Sequence, residues 1–197
     1  MENVCEPSFL RKKQIECLHS FVDAAERANL GLWVCGGWGV EALAMEQYPR
    51  EHYDLDFLVF RLYSSAFHRM ARRLHFSFAG ESYYGFNLRK YSGGALIRMQ
   101  IGFFDWEEDG SLVTYLPEHT VNWPCADPAG LPRLPVSGKD VPCCDWEMMF
   151  AANQVYSFLN PEEEEPPDAE LISKQVSAAR RKAIARQLIV PYGPEPV

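Results

Sequence analysis

Two glycines, followed at a distance by two aspartates, carry the chemistry that this sequence could perform. Gly36 and Gly37 end the apolar run Leu32-Trp33-Val34-Cys35 and precede a stretch with helical spacing. Asp54-Leu55-Asp56 opens a second apolar run, seventeen positions after Gly37. Paired glycines allow a turn and a close backbone approach that a Cβ would forbid. Main-chain amides at the start of a helix suit a phosphate. Alternate residues of a strand share a face, so Asp54 and Asp56 are expected side by side with Leu55 buried behind them. Such a pair, completed by substrate phosphates and water, holds Mg²⁺. A cation bridging phosphate oxygens neutralises the charge that develops in phosphoryl transfer. Arg50 and His52 precede the aspartates at two-residue intervals. Arg50 is a candidate triphosphate contact or, taken by itself, equally a surface salt-bridge arginine, and His52 is a candidate to orient a carboxylate or a phosphate.

The elements that must position these residues are read from periodicity. Phe9, Leu10, Ile15, Leu18, Phe21, Val22 and Ala25 recur at helical spacing over 8–30, with Ser8 where a cap belongs. Helical spacing returns over 38–45, the stretch 47–53 is polar and irregular, and 54–60 reads as a strand. An amphipathic helix over 63–74, capped by Ser64 or Ser65, leads to strands over 76–79, 84–91 and 95–104. Ser92-Gly93-Gly94 joins the last two as a hairpin. A turn at Asp109-Gly110 and a strand over 112–116 follow. The Pro- and Gly-rich stretch 117–142 is expected to be mostly loop. Residues 145–159 read as a helix, 161–167 as an acidic, proline-rich linker and 168–188 as one final amphipathic helix. Glu41 is expected on a solvated helix face, and the aromatics Trp33, Trp38, Tyr53, Tyr83, Tyr84 and Phe86 mostly in the core, with some free to wall an acceptor pocket.

Composition narrows the partners. The chain has 197 residues, 47% of them hydrophobic, and a formal charge of −8 from 27 acidic and 19 basic side chains. That balance argues against nucleic acid, which needs clustered Lys and Arg, and leaves a small or cationic molecule. The six cysteines (Cys5, Cys17, Cys35, Cys125, Cys143, Cys144) show no CxxC spacing and read as reduced thiols. No secretory signal is apparent, and no apolar run reaches the roughly 20 residues that a membrane helix needs. The expectation is a cytoplasmic protein with no membrane partner; its oligomeric state stays open, a homodimer being one option.

Gly36-Gly37-Trp38 followed by Arg50-x-His52-x-Asp54-x-Asp56 resembles the signature of the lincosamide and aminoglycoside nucleotidyltransferases, within the DNA polymerase β-like superfamily. The likeness continues into 96–104 and 141–150, and so covers about residues 15–155. It implies an α/β fold of the α+β kind: a nucleotidyltransferase-type mixed twisted sheet with flanking helices and a C-terminal helical part. The division expected is 1–142 for that domain and 143–197 for a helical extension packed on it. It further implies Mg²⁺-dependent transfer of a nucleoside monophosphate, AMP from ATP, to a hydroxyl of a small natural product or antibiotic. Asp54 and Asp56 would be the metal ligands. Gly36, Gly37, Trp38, Arg50 and His52 would bind the nucleotide.

The pattern departs from the family at its third carboxylate. Gln100 stands where that Asp belongs, and Gly102 where a His is common. A glutamine oxygen can ligate Mg²⁺ weakly, but it cannot take a proton from a hydroxyl. Three explanations follow: Asp105, or failing it Glu107, fills the role; substrate or water accepts the proton; or the fold is kept with its chemistry replaced. In the last case the cleft would bind or transform an apolar small molecule without nucleotide. A non-enzymatic binding module is a further reading.

Overall fold

The computed structural model describes residues 8–45 and 50–191. α1 (Phe9–Arg27) begins where the Ser8 hydroxyl accepts the Arg11 amide, as its sequence position suggests. β1 (Leu32–Cys35) passes directly into α2 (Gly36–Leu43), Gly36 making the turn at φ +59°. β2 (Leu55–Phe60) follows, and a 3₁₀ turn at Arg61–Tyr63 leads to α3 (Ser64–Arg73). Neither Ser64 nor Ser65 caps α3. Tyr63 holds the N-cap position without a side-chain hydrogen bond, because the 3₁₀ turn already delivers the chain into the helix.

β3 (Ser77–Ser82), β4 (Gly85–Ser92) and β5 (Ala95–Trp106) form a meander, and Gly93 and Gly94 supply the two positive φ angles of the expected hairpin. β6 (Leu112–Leu116) is as expected, but the stretch beyond it is not mostly loop. It contains β7 (His119–Asn122), β8 (Arg133–Val136) and β9 (Lys139–Pro142), the last two paired around Ser137-Gly138. The strands are short enough for prolines at their ends to mask them. α4 (Trp146–Leu159) is capped by the Asp145 carboxylate, which accepts the Met148 amide at 2.8 Å. The single helix expected over 168–188 is two: α5 (Ala169–Gln175) and α6 (Ala178–Gln187). Between them Val176 turns extended to bury its side chain, and Ser177 caps α6. β10 (Ile189–Pro191), unexpected from the sequence, adds a strand beside β7.

The sheet runs β1-β2-β5, with β4 and β3 continuing from β5 and β6-β7-β10 continuing from its far end. β2 and β5 are parallel and every other pairing is antiparallel, so the expected mixed sheet with flanking helices is present. β2 shows why it can carry the site. Leu55, Phe57 and Val59 face the core under α1 and α3, where Phe21 stacks on Phe57 at 5.2 Å. The alternate residues face the other side, where Leu58 joins a second core built on α4, α5 and α6. Among the described residues no helix is long and apolar enough to cross a membrane.

Candidate active site

Register places the polar residues in a row. Asp56 on β2 lies opposite Cys35 on β1 and Gln100 on β5. Asp54 is the residue just before β2. A cavity of about 440 Å³ opens on this side of the sheet, and Gly36, Gly37, Arg50, His52, Asp54, Asp56 and Gln100 all line it. The two carboxylates therefore share one face and one cavity. Gly36 lies directly against Asp56: a Cβ there would be 2.7 Å from the Asp56 carboxyl carbon. A Cβ on Gly37 would meet Arg50 Nη2 at 2.6 Å and His52 Cε1 at 2.9 Å. Both glycines are demanded by close approach, and at Gly36 by the backbone angle as well.

The carboxyl groups are displaced from their ordinary range. Burial, and then the Asp54 charge, push the Asp56 carboxyl well up. Burial likewise raises Asp54, against the opposing pull of His52, Arg98 and Arg50. Two buried carboxyls side by side disfavour each other's charge, and a divalent cation between them would offset that cost. Its donors are hard oxygens, which suit Mg²⁺. Among the described residues no three His, Cys, Asp or Glu side chains group to hold a metal by themselves, so the remaining coordination would come from phosphate and water. The Cys35 thiol, hydrogen-bonded to Cys144 and buried, is held well above its usual value and stays a neutral wall.

Gln100 reaches the cavity where its register puts it, and the half-buried Tyr84 hydroxyl donates to its Oε1 at 2.8 Å. The substitutes considered for it lie elsewhere. Asp105 is paired with Arg61 at 2.7 Å and Glu107 accepts from the Tyr115 hydroxyl; neither lines the cavity.

Trp38 lies in the core, as expected for most of its aromatic group, and not on the cavity wall where the motif would use it. It is 0% exposed and absent from the cavity lining. The α2 helix turns it inward, where it packs on the His52 ring at 4.5 Å and under the Arg11 guanidinium at 4.7 Å. Its contribution is to support the binding residues from beneath. Tyr53 and Tyr84 do line the cavity, whereas Trp33 and Phe86 are core and Tyr83 is exposed.

A buried polar cluster was missed by the sequence reading. Glu41 is 3% exposed rather than solvated. Its carboxylate accepts from Arg11 Nη1 at 2.9 Å and pairs also with Arg11 Nη2. It meets His52 Nε2 at 2.8 Å. Burial alone would raise the Glu41 carboxyl, but hydrogen bonds from His52 and Arg11 outweigh it and hold it low. Arg11 also donates to the Arg50 carbonyl at 2.6 Å, and Gln14 Nε2 to the His52 carbonyl at 2.9 Å. Residues of α1 and α2 thus fix the chain just before Asp54. His52 Nδ1 is buried without a hydrogen-bond partner, packed against Gly37. Arg50 is engaged as well: its Nε donates to Asp168 Oδ1 at 3.2 Å and its Nη2 pairs with Asp168 Oδ2. The signal that could have revealed the cluster is the presence of Arg11 and Gln14 on the apolar face of an amphipathic helix.

Beyond the polar end, Thr114, Val121, Trp123, Val155 and Ile172 make the cavity deep and largely apolar, with Pro166, Pro167 and Asp168 at its edge.

A family model for aminoglycoside-2''-adenylyltransferase matches residues 17–169. No curated protein matches the chain. Among solved structures, the antibiotic-resistance factor ANT(2'')-Ia in solution is 20% identical, with a TM-score of 0.67 over 89% of this chain and 90% of that one. ANT(2'')-Ia in complex with adenylyl-2''-tobramycin is also 20% identical, with a TM-score of 0.66 over 88% and 95%. The lincosamide antibiotic adenylyltransferase LnuA, lincomycin-bound, is 16% identical, with a TM-score of 0.55 over 88% and 97%.

Proposed function

Since the chain belongs to the aminoglycoside-2''-adenylyltransferase family, and is therefore a nucleotidyltransferase, we propose that it transfers AMP from ATP to a hydroxyl of a small antibiotic or related natural product. The observation that carries this reading is the meeting of Asp54, Asp56 and the Gly36 turn in one cavity. Mg²⁺ held by Asp54 and Asp56 would supply charge neutralisation on the reacting phosphates. Gly36 and Gly37 present backbone to the triphosphate, Arg50 is its cationic contact once freed from Asp168, and His52 orients this end of the site. The apolar depth of the cavity takes the base or the body of the acceptor, and excludes water that would hydrolyse the nucleotide. ANT(2'')-Ia with adenylyl-2''-tobramycin and LnuA with lincomycin support an antibiotic as acceptor. The acidic chain fits a cationic acceptor and no nucleic acid, and dependence on ATP fits work in the cytoplasm.

Gln100 favours a second reading, in which the cavity accepts an apolar molecule without nucleotide. The test is incubation with labelled ATP, Mg²⁺ and a panel of aminoglycosides and lincosamides, together with thermal shift under ATP and Mg²⁺. The expected result is AMP on the acceptor with release of pyrophosphate, and a rise in Tm that needs both ligands. Gln100→Asp should lower the Mg²⁺ concentration at which that rise appears, because it adds a third carboxylate to the pair. Absence of any nucleotide response in both forms would overturn the transferase reading and leave the second.

A further inference from the structure

We propose that Asp168 is an internal competitor for the triphosphate: its carboxylate occupies the Arg50 fork, and nucleotide binding must displace it. The inference rests on Arg50 being a triphosphate contact, as read above.

The planar guanidinium of arginine offers parallel N–H groups that match a carboxylate or a phosphate equally well. Here the match is already made. Nε and Nη2 of Arg50 both go to Asp168, and Nη1 donates to the Glu51 carbonyl at 3.1 Å. Three of its five N–H groups are engaged, and the Nε/Nη2 fork is wholly taken, so a phosphate gains that fork only by taking the place of Asp168. The pair is only partly exposed, 35% at the Arg50 side chain and 17% at Asp168, so bulk water does not dissolve it. Asp168 also sits on the cavity edge beside Pro166 and Pro167, within reach of an entering anion.

The surrounding chain allows the exchange. Asp168 holds the N-cap position of α5 but makes no side-chain cap hydrogen bond. Releasing its carboxylate from Arg50 therefore costs α5 no cap, and frees the group for capping instead. Farther along, Ile172 is 1% exposed and anchors α5 in the core, so the change stays with the side chain of Asp168 and the segment just before it. One carboxylate thus makes the site choose: closed on itself without nucleotide, or open at Arg50 with it. An anionic ligand that cannot displace Asp168 loses the arginine, which raises the affinity threshold for binding.

The experiment measures ATP and adenosine binding by calorimetry to the full chain, with Mg²⁺ present, for wild type, Asp168→Asn, Asp168→Ala, Arg50→Ala and the Arg50→Ala/Asp168→Asn double variant. Removing the competitor should tighten ATP by about fivefold or more, the lower range of a site-to-site coupling, and leave adenosine unchanged. Arg50→Ala should weaken ATP, and the double variant should match Arg50→Ala, because without the arginine there is nothing to compete for. If both Asp168 variants leave ATP affinity unchanged or weaken it while Arg50→Ala weakens it, the competition is overturned and the Arg50 assignment stands. If Arg50→Ala has no effect on ATP, both fall. If wild type binds no ATP, the transferase reading itself has failed.

Discussion

Asp54 and Asp56 are ionisable groups that the fold holds at a disadvantage. Burial raises both, and Asp54 adds to the rise at Asp56, so in the metal-free protein each binds its proton more tightly than in the unfolded chain. Below the unfolded value, 3.8 for an aspartate here, both states are protonated and nothing is lost. As pH rises past it the unfolded chain releases protons that the folded chain keeps, so stability falls until the folded pair ionises too. Asp56→Asn removes that loss. It should raise the metal-free Tm at pH 7 by about 2–4 °C, the shift that ~1 kcal/mol produces in a chain of this size. The gain should shrink as pH approaches 4, while the Mg²⁺ response disappears. Calorimetric scans at pH 4 and pH 7 check this; a lower Tm at pH 7 would make Asp56 a structural residue. The aspartates were legible because their spacing is itself the geometry: two residues apart on a strand is one face. Gln100 was legible only through the resemblance, as the residue standing where the family's third carboxylate belongs; its place beside Asp56 comes from the pairing of β2 with β5.

At the scale of elements, the site depends on how α1 and α2 grip the segment before β2. Arg11 and Gln14 reach from α1 to the carbonyls of Arg50 and His52, and Glu41 reaches from α2 to Arg11 and His52. Glu41 is the hinge of this arrangement, since without its charge a buried guanidinium loses its counter-ion and the His52 ring its hydrogen-bond partner. Glu41→Gln should cost about 3–5 kcal/mol, as breaking a buried ion pair from one side does. Its low carboxyl value gives the wild type a contribution that is complete above the unfolded value of 4.5 and lost as pH falls through the folded one. Denaturation at pH 7 and at pH 3 should therefore separate wild type from Glu41→Gln widely at the first and much less at the second. An equal difference at both would assign the loss to packing. The sequence did not reveal Glu41, because its partners come from residues 30 positions before it and 11 after it, and helical periodicity sees only one element at a time. The helix starts at Ser8 and Asp145 are local and were open to reading; the start at Ser177 was hidden within the single helix expected over 168–188, because the break at Val176 depends on a core that the helix itself cannot specify.

Across the whole molecule, the cavity wall is closed by the end of the chain. Val121 and its neighbours Thr114 and Trp123 form the apolar depth of the site on β6, β7 and the residue after β7. Their outer edge is covered by β10, paired with β7 from Ile189 to Pro191, and by the Asn122 amide donating to the Leu188 carbonyl at 2.6 Å. Asn122 Nδ2 adds a bond to the Gln187 carbonyl at 2.9 Å, and Leu188 itself is 1% exposed. A three-residue strand with a proline in it carries almost no signal of its own; it forms because β7 offers an unpaired edge and Leu188 has a core to enter. Truncation after Gln187 removes both. Loss of the buried Leu188 side chain costs about 1.5–3 kcal/mol, and each kcal/mol lowers Tm by about 2–4 °C at this chain length, so a fall of at least about 3 °C is expected. The freed edge of β7 also lets Val121 move, so the truncated protein should bind an antibiotic acceptor more weakly while its Mg²⁺-dependent response to ATP changes less, the carboxylates lying on β2, which β10 does not touch. Tm and acceptor titration on the truncated chain read the two effects separately. A truncation that lowers Tm but leaves acceptor affinity intact would show that the cavity wall stands without its cover, and would assign the acceptor to the polar end of the site instead.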